Sequence, residues 1–272
     1  MLPNTVRSSL FTLLDFAIVM VIVIAMNALF PVFHSARLHP QIIQQSAIVF
    51  TFLAPLILRA ACRRFGAERF QNLVRRALAL GLLAFAFTGV ADKIATGGKP
   101  DTVLPMQLCD WVLYAVAASL WFRWQLGFEL GYFWGLAGTM QALFTPAFEM
   151  TEVWWRLFGF FFSHALIVVS VLHLLITERC RPWPRSLLRV FVCSEIYLAA
   201  ALLVNAATGG NYGFLAHRPP QATLLDKFSD THWLYVVQIN ALALVFFPAL
   251  YLPWWIWDAL KARRGNAPIP PA

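Results

Sequence analysis

Apolar runs of about 20 residues recur along the whole chain, and this pattern constrains the fold more than any other feature of the sequence. An α-helix rises about 1.5 Å per residue, so a run of about 20 apolar residues crosses the roughly 30 Å hydrocarbon core of a bilayer. Hydrophobic residues make up 60% of the chain and charged residues 12%, whereas soluble domains carry about 25% charged residues. The sequence therefore predicts an all-α, polytopic integral membrane protein.

Eight membrane-spanning helices fit these runs, although the third run is the weakest and a seven-span bundle is the alternative. The predicted spans are residues 10–33, 43–61, 77–91, 103–122, 127–146, 157–176, 189–207 and 232–257. The first run is longer than the apolar region of a secretory signal peptide, and no small-x-small cleavage site follows it. We therefore assign residues 1–265 to one membrane domain and residues 266–272 to a disordered, Pro-rich tail.

Basic residues favour eight spans because Lys and Arg accumulate on the cytoplasmic side of a membrane. Eight spans place 15 of the 21 basic residues on one side and 6 on the other. The larger set is Arg7, Arg59, Arg63, Arg64, Arg69, Arg75, Arg76, Arg123, Arg179, Arg181, Arg185, Arg189, Lys261, Arg263 and Arg264, and the smaller set is Arg37, Lys93, Lys99, Arg156, Arg218 and Lys227. We therefore predict that both termini are cytoplasmic. The net charge of +8 is then a topology signal and an attraction to anionic lipids, and we expect no nucleic-acid partner.

One cysteine and one histidine fall at matching depth on two different predicted spans. The fourth and sixth spans enter from the outer side near Val103 and Leu157, which puts Cys109 about 9 Å and His164 about 10 Å into the membrane. A thiol attacks as its thiolate, and a neighbouring imidazole is the usual base. Cys109 and His164 are therefore a candidate nucleophile and base in the outer leaflet. The alternatives are a buried structural cysteine and a histidine that makes one hydrogen bond between helices.

Other polar side chains are predicted at the same outer level and are candidates for binding substrate or stabilising an oxyanion. They are Gln107, Gln141, Asn205, Asn211 and Asp226. Helix capping and loop folding are the alternative roles, which we favour for Asp226. The remaining cysteines, Cys62, Cys180 and Cys193, fall towards the cytoplasm. The sequence contains no zinc-type Cys/His spacing, P-loop or Rossmann glycine pattern, so we expect no metal and no cofactor.

An ordered set of short motifs resembles a known family. The motifs are Leu104-Pro105-x-x-Leu108-Cys109, Phe128-Glu129-Leu130-x-Tyr132-Phe133-Trp134-Gly135-Leu136-Ala137-Gly138-Thr139-x-Gln141, Phe162-Ser163-His164, Val204-Asn205, Asn211-Tyr212 and Leu224-Leu225-Asp226. Over residues 100–255 this set resembles the bacterial YwaF-like membrane proteins, which are related to the eukaryotic transmembrane protein 164 family. Two positions depart from the family pattern: Gln107 stands where a His is common, and Ala147 where an Asp is common.

The resemblance implies an activity. The eukaryotic relatives are described as Cys-dependent acyltransferases that move fatty acyl chains between phospholipids and lysophospholipids, using a catalytic Cys and His. Matched motif to motif, those roles fall on Cys109 and His164. The resemblance also implies a bacterial inner-membrane protein whose partners are membrane phospholipids and lysophospholipids. The alternative is a non-enzymatic lipid-binding or transport protein in which the outer polar cluster holds a lipid head group.

Overall fold

The computed structural model of the protein describes residues 38–66, 68–146, 154–221 and 223–263. These residues form helices and loops, with no strand among them. The predicted first span, residues 10–33, and the predicted tail, residues 266–272, lie outside the described residues. The prediction of an all-α membrane bundle is confirmed, and the weak third run forms a helix of 28 residues.

Helices account for all the other predicted spans. They are α1 (Leu38–Phe65), α2 (Glu68–Ala95), α3 (Pro100–Val103), α4 (Leu108–Phe122), α5 (Gln125–Leu130), a π-helix (Gly131–Thr139), α6 (Met140–Phe144), α7 (Trp154–Ile176), α8 (Pro184–Thr208) and α9 (His232–Ala262). Between α8 and α9, short 3₁₀ turns form at Tyr212–Phe214 and Leu224–Lys227. Five helices, α1, α2, α7, α8 and α9, are long and apolar enough to cross a membrane. The chain is an integral membrane protein.

The fifth predicted span, residues 127–146, is one continuous helical segment made of α5, the π-helix and α6. We call this segment, Gln125–Phe144, the glycine helix because Gly131, Gly135 and Gly138 lie on it. Small residues at this spacing predict close helix approach in membranes. A π-helix of nine residues is unusual and is found mostly at functional sites.

Successive helices run in opposite directions, which defines two ends of the bundle. At one end, Gln44 of α1 donates a hydrogen bond to the carbonyl of Leu143 on the glycine helix at 2.8 Å. At the other, Arg59 of α1 donates to the carbonyl of Ile176 at the end of α7 at 2.9 Å. We call the first the Cys109 end, because α4 begins there, and the second the Arg181 end, because α8 begins there.

The predicted fourth span, residues 103–122, is broken near its start. α3 ends at Val103 and α4 begins at Leu108, because Pro105 lacks an N–H and disfavours helical backbone at the residue before it. The N–H of Gln107 donates to Asp110 Oδ2 at 3.0 Å, which caps the new helix. The break therefore puts Cys109 in the first turn of α4, whereas the sequence placed it six residues into a span.

α7 is the central helix of the bundle. It packs against α1, α2, α4 and the glycine helix, and 72% of its most apolar 18-residue window is buried. The corresponding share is 17% in both α8 and α9, whose apolar faces are mostly not covered by the described residues. Side chains on α7 are therefore held by protein on most sides, which favours fixed geometry at a site built on this helix.

Candidate active site

The glycine helix sets the register between α4 and α7. A Cβ built on Gly131 would lie 2.4 Å from Val116 of α4 and 3.0 Å from Val171 of α7. Real Cβ atoms do not approach other side chains so closely, so this position accepts glycine only. Gly131 therefore fixes one layer in which Val116 and Val171 meet the same point on the glycine helix.

Gly135 defines the next layer, one turn closer to the Cys109 end. A Cβ on Gly135 would lie 3.7 Å from Val112 of α4 and 3.7 Å from Ile167 of α7. Each of these residues precedes its counterpart in the Gly131 layer by four positions, about one helical turn. The two helices therefore keep a common register along the glycine helix.

Cys109 and His164 occupy equivalent positions on stripes that continue from these layers. Both stripes have the spacing i, i+3, i+7, which places their members on one face of a helix. The stripes are Cys109, Val112 and Val116 on α4, and His164, Ile167 and Val171 on α7. One turn beyond the Gly135 layer, the stripes predict that α4 presents Cys109 and α7 presents His164. A sulfur-to-nitrogen distance of about 4–5 Å stays our prediction for this pair.

His164 is held in a single neutral form. Its Nδ1 lies 2.7 Å from the carbonyl oxygen of Phe160, one turn earlier on α7. Because a carbonyl oxygen only accepts hydrogen bonds, Nδ1 carries the proton and Nε2 keeps its lone pair. The Phe160 ring lies over the imidazole with 4.2 Å between ring centroids, and only 6% of His164 is exposed. This arrangement presents Nε2 as a proton acceptor.

The Cys109 thiol is free and half-buried at the N-terminal end of α4. Cys109 is the second residue of α4, so its sulfur lies beside the first-turn N–H groups of this helix. N–H groups at a helix start carry the positive end of the helix dipole, which stabilises an anion. Asp110 and Lys93 are charged neighbours that act on the sulfur electrostatically. The helix start and the Lys93 ammonium favour an anionic sulfur, whereas burial and the Asp110 carboxylate disfavour it.

Tyr197 of α8 holds the start of α4 in place. Its hydroxyl donates to the carbonyl of Met106 at 3.1 Å, and its ring meets the edge of Trp111 with 5.3 Å between centroids. These contacts flank Cys109 on both sides along the chain. Tyr197 could not be identified from the sequence, because its position in α8 does not show that its side chain contacts residues around the start of α4.

Two of the predicted polar residues keep part of their hydrogen-bonding capacity. Gln107 Oε1 accepts from the N–H of Gly213 at 3.0 Å, which leaves its Nε2 group as a donor beside the start of α4. Gln141 Nε2 donates to the carbonyl of Ala137 at 2.8 Å, on its own helix. Gln107 is therefore better placed than Gln141 to donate to a substrate.

The side chain of Asn205 makes two hydrogen bonds to the main chain of the loop after α8. Its Nδ2 donates to the carbonyl of Tyr212 at 3.0 Å, and its Oδ1 accepts from the N–H of Tyr212 at 2.7 Å. The Tyr212 hydroxyl in turn donates to the carbonyl of Pro100 at 2.6 Å and accepts from the N–H of Leu104 at 3.1 Å. This chain of bonds ties α8 to the broken segment before α4.

Asn211 and Asp226 make local bonds within the same loop. Asn211 Oδ1 accepts from the N–H groups of Ala216 and His217, at 3.0 Å and 3.1 Å. Asp226 Oδ2 accepts from the N–H of Thr223 at 2.7 Å, which caps the short 3₁₀ turn. These contacts fold the loop that lies next to the Cys109 end.

Comparison with known proteins agrees with the resemblance seen in the motifs. The model of the TMEM164 family matches residues 32–251, a range that includes Cys109, His164 and every other predicted site residue. No curated protein and no solved structure matches the chain. Because the family model covers well over half of the sequence, the protein belongs to the TMEM164 family.

Proposed function

We propose that this protein is an intramembrane acyltransferase that moves a fatty acyl chain between a phospholipid and a lysophospholipid through a thioester on Cys109. The observation that carries the proposal is the shared register of α4 and α7 at Gly131 and Gly135, from which the matching stripes predict Cys109 and His164 at one level. The activity is the one that the family resemblance implies for a Cys and a His at these positions.

In the first half-reaction, His164 Nε2 takes the proton of the Cys109 thiol. The thiolate attacks the ester carbonyl carbon of the donor phospholipid, a sulfur–carbon bond forms, and the carbonyl oxygen becomes an oxyanion. When this intermediate collapses, the bond from carbon to the glycerol oxygen breaks and His164 returns its proton to that oxygen. A lysophospholipid leaves and the acyl group stays on Cys109.

In the second half-reaction, the hydroxyl of an acceptor lysophospholipid gives its proton to His164 Nε2 and attacks the thioester. The carbon–sulfur bond breaks, and Cys109 regains its proton from His164. Water as the acceptor would give hydrolysis by the same steps. The first-turn N–H groups of α4 and the Gln107 Nε2 group support this chemistry, because an oxyanion needs preorganised donors.

The orientation that we propose has both termini in the cytoplasm and the site in the outer leaflet of a bacterial inner membrane. The basic clusters support it, since Arg63, Arg64, Arg181 and Arg185 lie at the Arg181 end. A C-terminal reporter enzyme that is active only outside the cytoplasm should stay silent. Strong activity from that fusion would reverse the orientation and move Cys109 to the inner leaflet.

A lipid-binding or transport protein is the second candidate, and Glu129 is the observation that favours it. This carboxylate is fully buried, and its Oε1 accepts from Arg189 at 2.5 Å and from Gln125 at 3.0 Å. Its Oε2 has no hydrogen-bond partner among the described residues. Intramembrane acids often mark transport pathways.

Intact-mass measurement after incubation with a defined phospholipid separates the two functions. The enzyme should gain the mass of one acyl group, and a lysophospholipid should then remove it. Cys109→Ala should gain no mass, whereas the matched control Cys180→Ala, altered at the Arg181 end of the bundle, should behave as wild type. Acyl transfer at the wild-type rate by Cys109→Ala would refute the enzyme proposal, and lipid binding without any adduct would favour the second candidate.

A further inference from the structure

Thr139, the last residue of the π-helix, has a buried hydroxyl with no hydrogen-bond partner among the described residues. Other helical threonines bond the carbonyl four residues earlier: Thr51 Oγ1 donates to Ala47 at 2.7 Å and Thr208 Oγ1 to Val204 at 2.7 Å. Thr139 is 3% exposed and does not make this bond. A buried hydroxyl without a hydrogen-bond partner lowers the free energy of unfolding by about 1–3 kcal/mol, so the presence of threonine at this position needs an explanation.

The glycine helix directs Thr139 towards the space between α4 and α7. Thr139 follows Gly135 by four residues, about one turn, and Gly135 faces both Val112 and Ile167. Gly138 independently shows which part of α4 lies beside Thr139. A Cβ added to Gly138 would lie 3.3 Å from Leu108, the residue before Cys109. Thr139 is therefore in the layer to which α4 contributes Cys109.

Neighbouring residues of the glycine helix point elsewhere, which supports this orientation. The Tyr132 hydroxyl donates to the carbonyl of Leu250 on α9, and the Phe133 ring contacts Phe247 on α9. Trp134 donates to Ser194 on α8. Positions 131 and 135 face α4 and α7, and position 139 repeats their spacing.

We infer that the Thr139 hydroxyl is a catalytic hydrogen-bond donor to the oxyanion formed on the substrate carbonyl, an inference that rests on the proposed function. When the Cys109 sulfur bonds to the ester carbon, the carbonyl electron pair moves onto oxygen. The Thr139 O–H then donates a hydrogen bond to that oxygen and keeps its own proton. When the intermediate collapses, the electron pair returns to the carbonyl and the alkoxide leaves with the proton from His164. A donor with no competing partner in the resting protein needs no bond broken before it can act.

Thr139→Val tests the inference, because valine keeps the shape of threonine and removes only the hydroxyl. We expect kcat for acyl transfer to fall about 10²- to 10³-fold with little change in KM, the usual scale for one oxyanion donor. Thr139→Ser keeps a hydroxyl and should recover most of the loss. Thr51→Val is the matched control, because it removes a buried threonine hydroxyl that bonds only its own helix.

Alkylation of Cys109 by iodoacetamide separates an oxyanion donor from a structural role. Alkylation needs the thiolate but forms no oxyanion, so Thr139→Val should react at the wild-type rate while His164→Ala reacts slowly. If Thr139→Val does not fold, Thr139→Ala replaces it with the same expectations. Wild-type acyl transfer by either variant, or equal losses in acyl transfer and alkylation, would overturn the inference. If Cys109→Ala is inactive in that case, the proposed function still stands.

Discussion

Each end of α7 combines a buried histidine with a free cysteine, but the polar groups around them are arranged differently. At the Cys109 end, a main-chain bond orients His164, and Ile167, three residues later, faces the same glycine as Val112 of α4. At the Arg181 end, His173 is fully buried, and neither ring nitrogen has a hydrogen-bond partner among the described residues. Cys180 there follows the last turn of α7. A thiol and an imidazole that lie near each other are thus not enough to define a catalytic pair.

Both thiols are surrounded by charges of both signs, Asp110 and Lys93 at Cys109 and Glu178, Arg75 and Arg123 at Cys180, but they lie at different ends of a helix. Cys109 has N–H groups of a helix start beside it, whereas Cys180 lies past the negative, C-terminal end of a helix. Burial is the main cause that raises the pKa of Cys180 to about 11, and the neighbouring Glu178 carboxylate adds to the shift. Glu178 Oε1 is also 3.9 Å from His173 Nε2. The two thiols therefore differ in the helix end beside them, a helix start for Cys109 and a helix end for Cys180.

The largest expected effect is the loss of the nucleophile. Cys109→Ala and Cys109→Ser should reduce acyl transfer to background while the protein remains folded, because both replacements are small and neither leaves an unpaired buried charge. Cys180→Ala should retain activity. Turnover of a defined phospholipid by purified variants measures both. Loss of activity in Cys180→Ala but not in Cys109→Ala would show that Cys180, and not Cys109, is the nucleophile.

The two histidines should differ by orders of magnitude. His164→Ala should lower kcat about 10²- to 10⁴-fold, the usual scale for losing a general base. His173→Leu, which replaces an unbonded imidazole with an apolar side chain of similar volume, should leave kcat almost unchanged. A loss of activity in His173→Leu without a lower unfolding temperature would show that the Arg181 end takes part in the reaction.

The smallest expected effect concerns how the rate of alkylation of the Cys180 thiol depends on pH. Its raised pKa of about 11 means that the neutral thiol dominates at lower pH, with about one molecule in 10³ ionised at pH 8. In a protein whose other cysteines are replaced by alanine, alkylation of Cys180 should be slow at pH 8 and rise steeply up to about pH 11. A rate that levels off near pH 8 would contradict the raised pKa of Cys180 and the burial that causes it.

Hydropathy predicted the helices well but not their local geometry. The spans predicted at 43–61 and 77–91 are helices Leu38–Phe65 and Glu68–Ala95, since helices continue past the apolar run into charged residues at the membrane surface. The break before α4 depends on Pro105, whose effect a hydropathy average does not register. The π-helix depends on close packing around the glycines, and the composition of residues 131–139 does not distinguish it from an α-helix.

The candidate pair was chosen from the sequence by its predicted depth on the fourth and sixth spans. α4 begins at Leu108 and α7 at Trp154, so Cys109 and His164 lie at different distances from their helix starts. The common i, i+3, i+7 stripes give their register instead, and this signal was present in the sequence. Tyr197 and Thr139 could not be assigned from sequence, because their roles depend on which helices pack against them.

The distance between Cys109 Sγ and His164 Nε2 in an experimental structure of the protein in lipid is the most direct test of the proposed pair. The common register of α4 and α7 predicts about 4–5 Å before substrate binds, a separation that unliganded sites often show. The Thr139 hydroxyl should border the same space. Side chains that lie on opposite faces of the bundle, or are separated by packed protein, would contradict the proposed mechanism.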